Sequence, residues 1–137
     1  MRRYLLDSTP LAGFLHGREH FVDRIAPLLS RREVATSILL YAEVTEYLKG
    51  LPDYPHRRGQ LRTLLQSVYP YFLTYPILDR YADIRRSLRP PYGPGLIGDI
   101  DTLIAATALE RGLTLITTDT DFDRVQGLTT MLLPRTP

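Results

Sequence analysis

Four acids, Asp7, Glu43, Asp101 and Asp119, stand where a fold could turn them toward one point. Asp7 follows the short apolar run Tyr4-Leu5-Leu6, and Asp119 follows Leu113-Thr-Leu-Ile-Thr-Thr118. Residues just after such runs lie at strand carboxyl ends, where open α/β sheets hold their ligands. Glu43 sits mid-helix between Ala42 and Val44, and Asp101 falls in the first turn of the most hydrophobic helical stretch. Carboxylates gathered within a few ångströms repel one another and resist ionising together. A divalent cation removes that conflict, and an all-oxygen set suits magnesium or manganese better than zinc. One or two such ions can activate a water, offset charge on a phosphoryl group and assist the departing oxygen.

Each acid alone also has a plain structural reading. Asp7 could open a turn. Asp99 and Asp101 could be a cap and a first-turn acid favoured by the helix dipole. Glu43 could be an ordinary exposed helix residue, as most glutamates are. Asp119-Thr-Asp121-Phe-Asp123 could be a solvated turn or the start of a calcium loop. The calcium loop fails, because its glycine and glutamate positions fall on Arg124 and Thr130. The weight lies in the joint placement.

The elements that must position these acids follow from the hydrophobic pattern. Arg3–Leu6 reads as a strand, after which Ser8 or Thr9 can cap a helix with Pro10 in its first turn. Residues 19–30 repeat the helical period. Val34–Thr36 reads as a buried strand, and Ser37 caps a helix that Gly50 and Pro52 stop. Pro55–Val68 predicts a helix, Tyr71–Thr74 a strand and Ile77–Leu88 a further helix. Three prolines and two glycines make 89–95 a loop. A buried helix over Asp99–Arg111 ends at Gly112, followed by a strand to Thr117, a turn or short helix over Asp119–Val125, and a strand over Thr130–Leu133. Five short apolar strands alternating with helices predict a three-layer α/β/α domain spanning residues 1–137, its central sheet mostly parallel.

Composition sets the bounds. With 137 residues, 44% hydrophobic and 23% charged, the chain has the size and balance of one soluble domain. No stretch approaches the roughly 18 apolar residues of a membrane span. Asp7 and Pro10 cut short the apolar run of a would-be signal peptide, so the expected compartment is the cytoplasm. The absence of cysteine excludes disulfides, thiolate zinc sites and a cysteine nucleophile. Net charge is +2, and Lys49 is the only lysine, so the basic side chains are nearly all arginine. That favours local phosphate contacts over a wholly cationic nucleic-acid binder.

Four blocks carry a family resemblance: Tyr4-Leu5-Leu6-Asp7-Ser8; Ser37-Ile-Leu-Leu-Tyr-Ala-Glu43 with Gly50 after it; Asp101-Thr-Leu-Ile-Ala-Ala-Thr-Ala-Leu109; and Leu115-Ile-Thr-Thr-Asp119-Thr-Asp121-Phe122. In this order they resemble the PIN-domain nucleases, and among them the VapC-type toxins of toxin–antitoxin pairs. The resemblance implies a PIN-like fold and RNA hydrolysis with magnesium or manganese. It implies that Asp7, Glu43, Asp101 and Asp119 bind the metal, that Ser8 orients metal or water, and that Thr117 supports Asp119. The asparagine often found two residues after the first aspartate is Thr9 here. Asp99 and Asp121 are additional acids near the set, Asp99 expected mainly as a cap and Asp121 as a peripheral acid. The resemblance further implies a homodimer and a small antitoxin partner that inserts a segment into the acidic groove.

Arg85, Arg86, Arg89 and Tyr92 are candidates for RNA contact, the arginines to phosphate and the tyrosine to a base. The alternative for the arginines is a solvated helix face. Arg57, Arg58 and Arg62 mark a second basic surface, and His16, His20 and His56 show no ligand spacing. The competing function is a PIN-like module without turnover that binds RNA or regulates, against which the intact set of acids argues. A phosphoacceptor domain would want an early acidic pair and a late lysine. A P-loop would need a Gly-Lys-Ser/Thr triplet. Neither pattern occurs.

Overall fold

The computed structural model describes all 137 residues. In chain order the elements are β1 (Tyr4–Leu6), α1 (Ser8–Leu15), α2 (Glu19–Ser30), β2 (Val34–Ser37), α3 (Ile38–Lys49), α4 (Tyr54–Leu65), β3 (Tyr69–Tyr71), α5 (Tyr75–Leu88), α6 (Asp99–Arg111), β4 (Thr114–Thr117), a 3-10 segment over Thr120–Arg124, and β5 (Thr130–Leu132). The five strands form one sheet in the order β3-β2-β1-β4-β5, and every pairing is parallel. No helix is long and apolar enough to cross a membrane.

The period-two alternation of strand side chains builds two cores from very short strands. Leu5, Ala35 and Leu115 face α5 and α6, packing on Ile77, Ile84, Leu88, Ile104 and three buried alanines of α6. Their neighbours Leu6, Val34 and Ile116 face the other way, against Leu11, Phe21, Ile25, Leu40, Val44 and Leu61 of α1–α4. The three-layer arrangement follows. All strands run the same way, but strand order steps outward from β1 in one direction through β2 and β3 and in the other through β4 and β5, which leaves a crevice at the carboxyl ends of β1 and β4.

The structure moves several predicted boundaries. The third strand lies at Tyr69–Tyr71 rather than Tyr71–Thr74, because Tyr71 already pairs with Ser37, the last residue of β2. Thr74 is freed to cap α5, its Oγ1 accepting from the Ile77 amide at 3.4 Å. Pro70 is tolerated because β3 is an edge strand. α4 stops at Leu65, short of Val68. Neither Ser8 nor Thr9 caps α1; Asp7 does, accepting from the Ser8 amide. Gly112 ends α6 as expected, in the left-handed conformation at φ 66° that favours glycine.

Two glycines test the packing with opposite signs. A Cβ on Gly13 of α1 would stand 2.1 Å from Cδ2 of the buried Phe21 ring, whereas one on Gly59 of α4 would meet nothing within 4 Å. Gly13→Ala is expected to destabilise by about 1–3 kcal/mol through overpacking. Gly59→Ala should be neutral or stabilising by up to about 1 kcal/mol through helix propensity. Urea denaturation measures both, and equal effects would contradict the α1–α2 packing described.

Candidate active site

The four acids reach the β1/β4 crevice from four elements. Asp7 leaves the end of β1 and is only 5% exposed. Its Oδ1 accepts from the Ser8 amide at 2.9 Å, and its Oδ2 accepts from the Thr117 hydroxyl at 2.8 Å. Thr117, the last residue of β4, is fully buried, and its Oγ1 also accepts from the Asp119 amide at 3.1 Å. One hydroxyl therefore ties the first acid to the backbone of the fourth. Asp119 caps the 3-10 segment, its Oδ1 accepting from the Asp121 amide at 2.8 Å. Asp101 sits in the first turn of α6, and Glu43 in the second turn of α3. Glu43 Oε1 is buried with no hydrogen-bond partner, and so is the Thr118 hydroxyl beside Asp119.

The charges act on one another. Burial raises the Asp7 carboxyl above its ordinary range, and the nearby Asp119 charge adds to the rise; the Thr117 hydroxyl and Ser8 amide pull it down. Burial also raises Glu43, followed by the charges of Asp7 and Asp101, with the Ser8 hydroxyl opposing. Asp101 is pushed up to about 6, first by burial and then by Asp7, Asp119 and Asp121. The molecule contains six ion pairs, and none includes Asp7, Glu43, Asp101 or Asp119. No basic side chain stands within ion-pair distance of the four acids.

The donor set suits a hard divalent cation. It is all oxygen, without cysteine, and Glu43 Oε1 is buried with no protein partner. As the side chains stand, no three Asp, Glu or His residues form a set spaced to hold one ion. Magnesium commonly takes one or two carboxylates and keeps several waters. The site fits that mode rather than a closed protein cage.

The other candidates are placed as follows. Asp99 is not the cap of α6, a position taken by Gly98. Its Oδ1 instead accepts from Arg85 Nη1 at 2.7 Å and from the Tyr81 hydroxyl at 3.1 Å, turning it away from the other acids. Arg85 is thus held in an ion pair and only 24% exposed, a poor candidate for phosphate. Asp121 is exposed and lies 3.6 Å from Arg124, while its charge still reaches Asp101. Arg86, Arg89 and Tyr92 are exposed on α5 and the following loop. Arg57 pairs with Asp53, and Arg58 lies over the Tyr54 ring. His56 is exposed; His16 and His20 are half-buried, and His16 Nε2 meets the Tyr47 hydroxyl at 3.0 Å. Sequence reasoning passed over Tyr47, whose one signal is its place a single helical turn after Glu43.

No curated protein matches the chain significantly. Solved structures share its fold across nearly its whole length. One is a DNA-bound VapBC from Salmonella typhimurium, at TM-score 0.84 and 18% identity, covering 96% of this chain and 98% of the other. Another is VapBC2 from Rickettsia felis bound to a promoter DNA fragment, at 0.82 and 19%, covering 93% and 96%. A third is VapBC-1 from nontypeable Haemophilus influenzae, at 0.76 and 24%, covering 94% and 96%. The sequence itself matches the PIN domain over residues 4–128, taking in all four acids and every strand except β5. The chain belongs to the PIN-domain family.

Proposed function

We propose that residues 1–137 form one nuclease domain, a magnesium- or manganese-dependent endoribonuclease that is the toxin of a toxin–antitoxin pair. The observation that carries the reading is the set of acids that converge at a sheet crevice without a single ion pair among them. Membership of a nuclease family and a fold shared with chains of VapBC complexes support it. The same likeness supports a cognate antitoxin; a homodimer and a cytoplasmic setting complete the proposal.

In this reading Asp7, Glu43, Asp101 and Asp119 would hold the metal together, one or two directly and the others through its retained waters. When bound, the ion supplies an acidified water and offsets charge on the phosphoryl oxygens. The protein supplies position. Thr117 and the Ser8 amide fix both oxygens of Asp7, so this buried acid cannot rotate away from the crevice. The Asp121 amide fixes one oxygen of Asp119. Glu43 Oε1, left without a protein donor, accepts a hydrogen bond from the attacking water. Water attacks phosphorus in line, its new P–O bond forming as the bond to the ribose oxygen breaks; the water gives up a proton to solvent and the ribose oxygen takes one from it, with no covalent enzyme intermediate. Asp121 shapes the field around the site from outside, Asp99 is engaged by Arg85, and Arg86, Arg89 and Tyr92 remain the candidates for outlying RNA contacts.

A cleavage assay on single-stranded RNA with magnesium, manganese or chelator tests the reading. Asp7→Asn and Asp101→Asn should each lose at least about a hundredfold in rate, since a changed ligand shell changes the metal itself. Equal cleavage in chelator and in metal would contradict the mechanism.

The raised carboxyls also make a prediction about stability. The folded chain holds the Asp101 proton up to about pH 6, against about 3.9 in an unfolded chain. Its contribution is therefore fully present below about pH 4 and lost as pH rises through 6. Metal-free Asp101→Asn should match the parent in urea denaturation near pH 4 and exceed it at pH 7.5. Manganese should stabilise the parent more than the variant. A parent–variant difference unchanged between the two pH values would contradict the cluster's electrostatics.

A further inference from the structure

Beside the acids, α1 and α3 enclose a cavity of about 350 Å³. Its size lies at the lower end of small-ligand sites. Ser8 and Glu43 line the end that meets the acid cluster, and Ala12, Gly13 and Val44 add an apolar lining. Residues four apart on a helix share a face, so Glu43 and Tyr47 both turn to this cavity from α3, as Ser8 and Ala12 do from α1.

Tyr47 is a held ring. It is 45% exposed, yet His16 contacts its hydroxyl at 3.0 Å and meets its ring edge-on at 88°, with centroids 5.7 Å apart. Fixing a ring before a base arrives lowers the ordering cost of stacking on it. Arg18 adds a cation at the same cavity. Its guanidinium lies over the Phe21 ring and pairs with no carboxylate, and its one side-chain hydrogen bond, to the Arg135 carbonyl at 3.2 Å, leaves other donors available. An apolar lining, a fixed aromatic face, an arginine with spare donors and the proposed phosphoryl-cleaving centre at one end together describe the needs of one nucleotide.

We infer that this cavity receives the base of the nucleotide adjoining the scissile phosphate of single-stranded RNA, with Tyr47 stacking on the base and Arg18 facing its phosphate. The inference rests on the nuclease reading for which phosphate is cut. A base within a duplex cannot enter such a cavity, so the subsite would restrict the enzyme to unpaired segments. It deepens that reading by naming Tyr47 and His16 as the pair that selects and orients substrate beyond the acids.

The test is equilibrium binding by fluorescence anisotropy, with a labelled single-stranded oligoribonucleotide and an Asp101→Asn background that blocks cleavage. Tyr47→Ala should weaken binding about tenfold, the loss of one stacked base, while Tyr47→Phe stays within about threefold. Arg18→Gln should reduce the slope of log affinity against log salt by about 0.7, one phosphate contact to a single strand. An abasic ribose walked along the RNA should weaken binding strongly at one position only, and Tyr47→Ala should erase that position's effect. Unchanged affinity in Tyr47→Ala, or losses that add at every abasic position, would overturn the subsite; so would a cavity that a protein segment fills while abasic substitution does nothing.

Parallel cleavage by the parent separates the two claims. Tyr47-dependent binding without cleavage removes the nuclease reading and leaves the subsite standing. Cleavage with Tyr47-independent binding removes the subsite alone.

Discussion

The repulsion among Asp7, Glu43, Asp101 and Asp119 constrains everything else in this molecule. A buried carboxylate without a partner is one of the more costly groups a fold can contain. This chain gathers one buried and three half-buried carboxylates, burial and mutual charge push three of them upward, and no arginine forms an ion pair with any of the four. Such an arrangement survives because the rest of the structure over-determines it. It makes physical sense if a cation completes it.

The fold achieves this with little material. Strands of three or four residues suffice, because alternate side chains fill two separate cores and the next residue along emerges at the crevice. Asp7 follows Leu6, and Asp119 follows Thr117 and Thr118, on neighbouring parallel strands. The Thr117 hydroxyl then couples the two strand ends across the β1–β4 seam. Stability and function draw on the same seam, since Leu5, Leu6, Leu115 and Ile116 are completely or almost completely buried around it.

Much of this was legible in the sequence, for identifiable reasons. Apolar runs closed by Asp7 or by Thr118-Asp119 mark strand ends whatever the tertiary context, and Gly112 marks a helix stop through its backbone alone. What stayed hidden depended on contacts distant in the chain. Thr74 reads as a strand residue until β2 runs out of partners at Ser37 and frees it as a cap. Asp99 reads as a cap until Arg85 and Tyr81, on another helix, claim its carboxylate. Asp7 doubles as site acid and helix cap, two roles that its position in the sequence does not separate. Tyr47 gives only a faint local hint, its place one turn after Glu43, because the contact that holds its ring comes from a histidine 31 residues away.

Calorimetric titration of the metal-free protein with manganese at pH 6 tests the central claim most directly, because binding must displace protons from carboxyls that share one charge-poor crevice. Repeating the titration in buffers of different ionisation heat counts those protons. The account predicts saturable binding with net proton release, and loss of both in Asp7→Asn. Binding without proton release, or binding that Asp7→Asn leaves intact, would show that the acids do not form a cation site and would contradict the account.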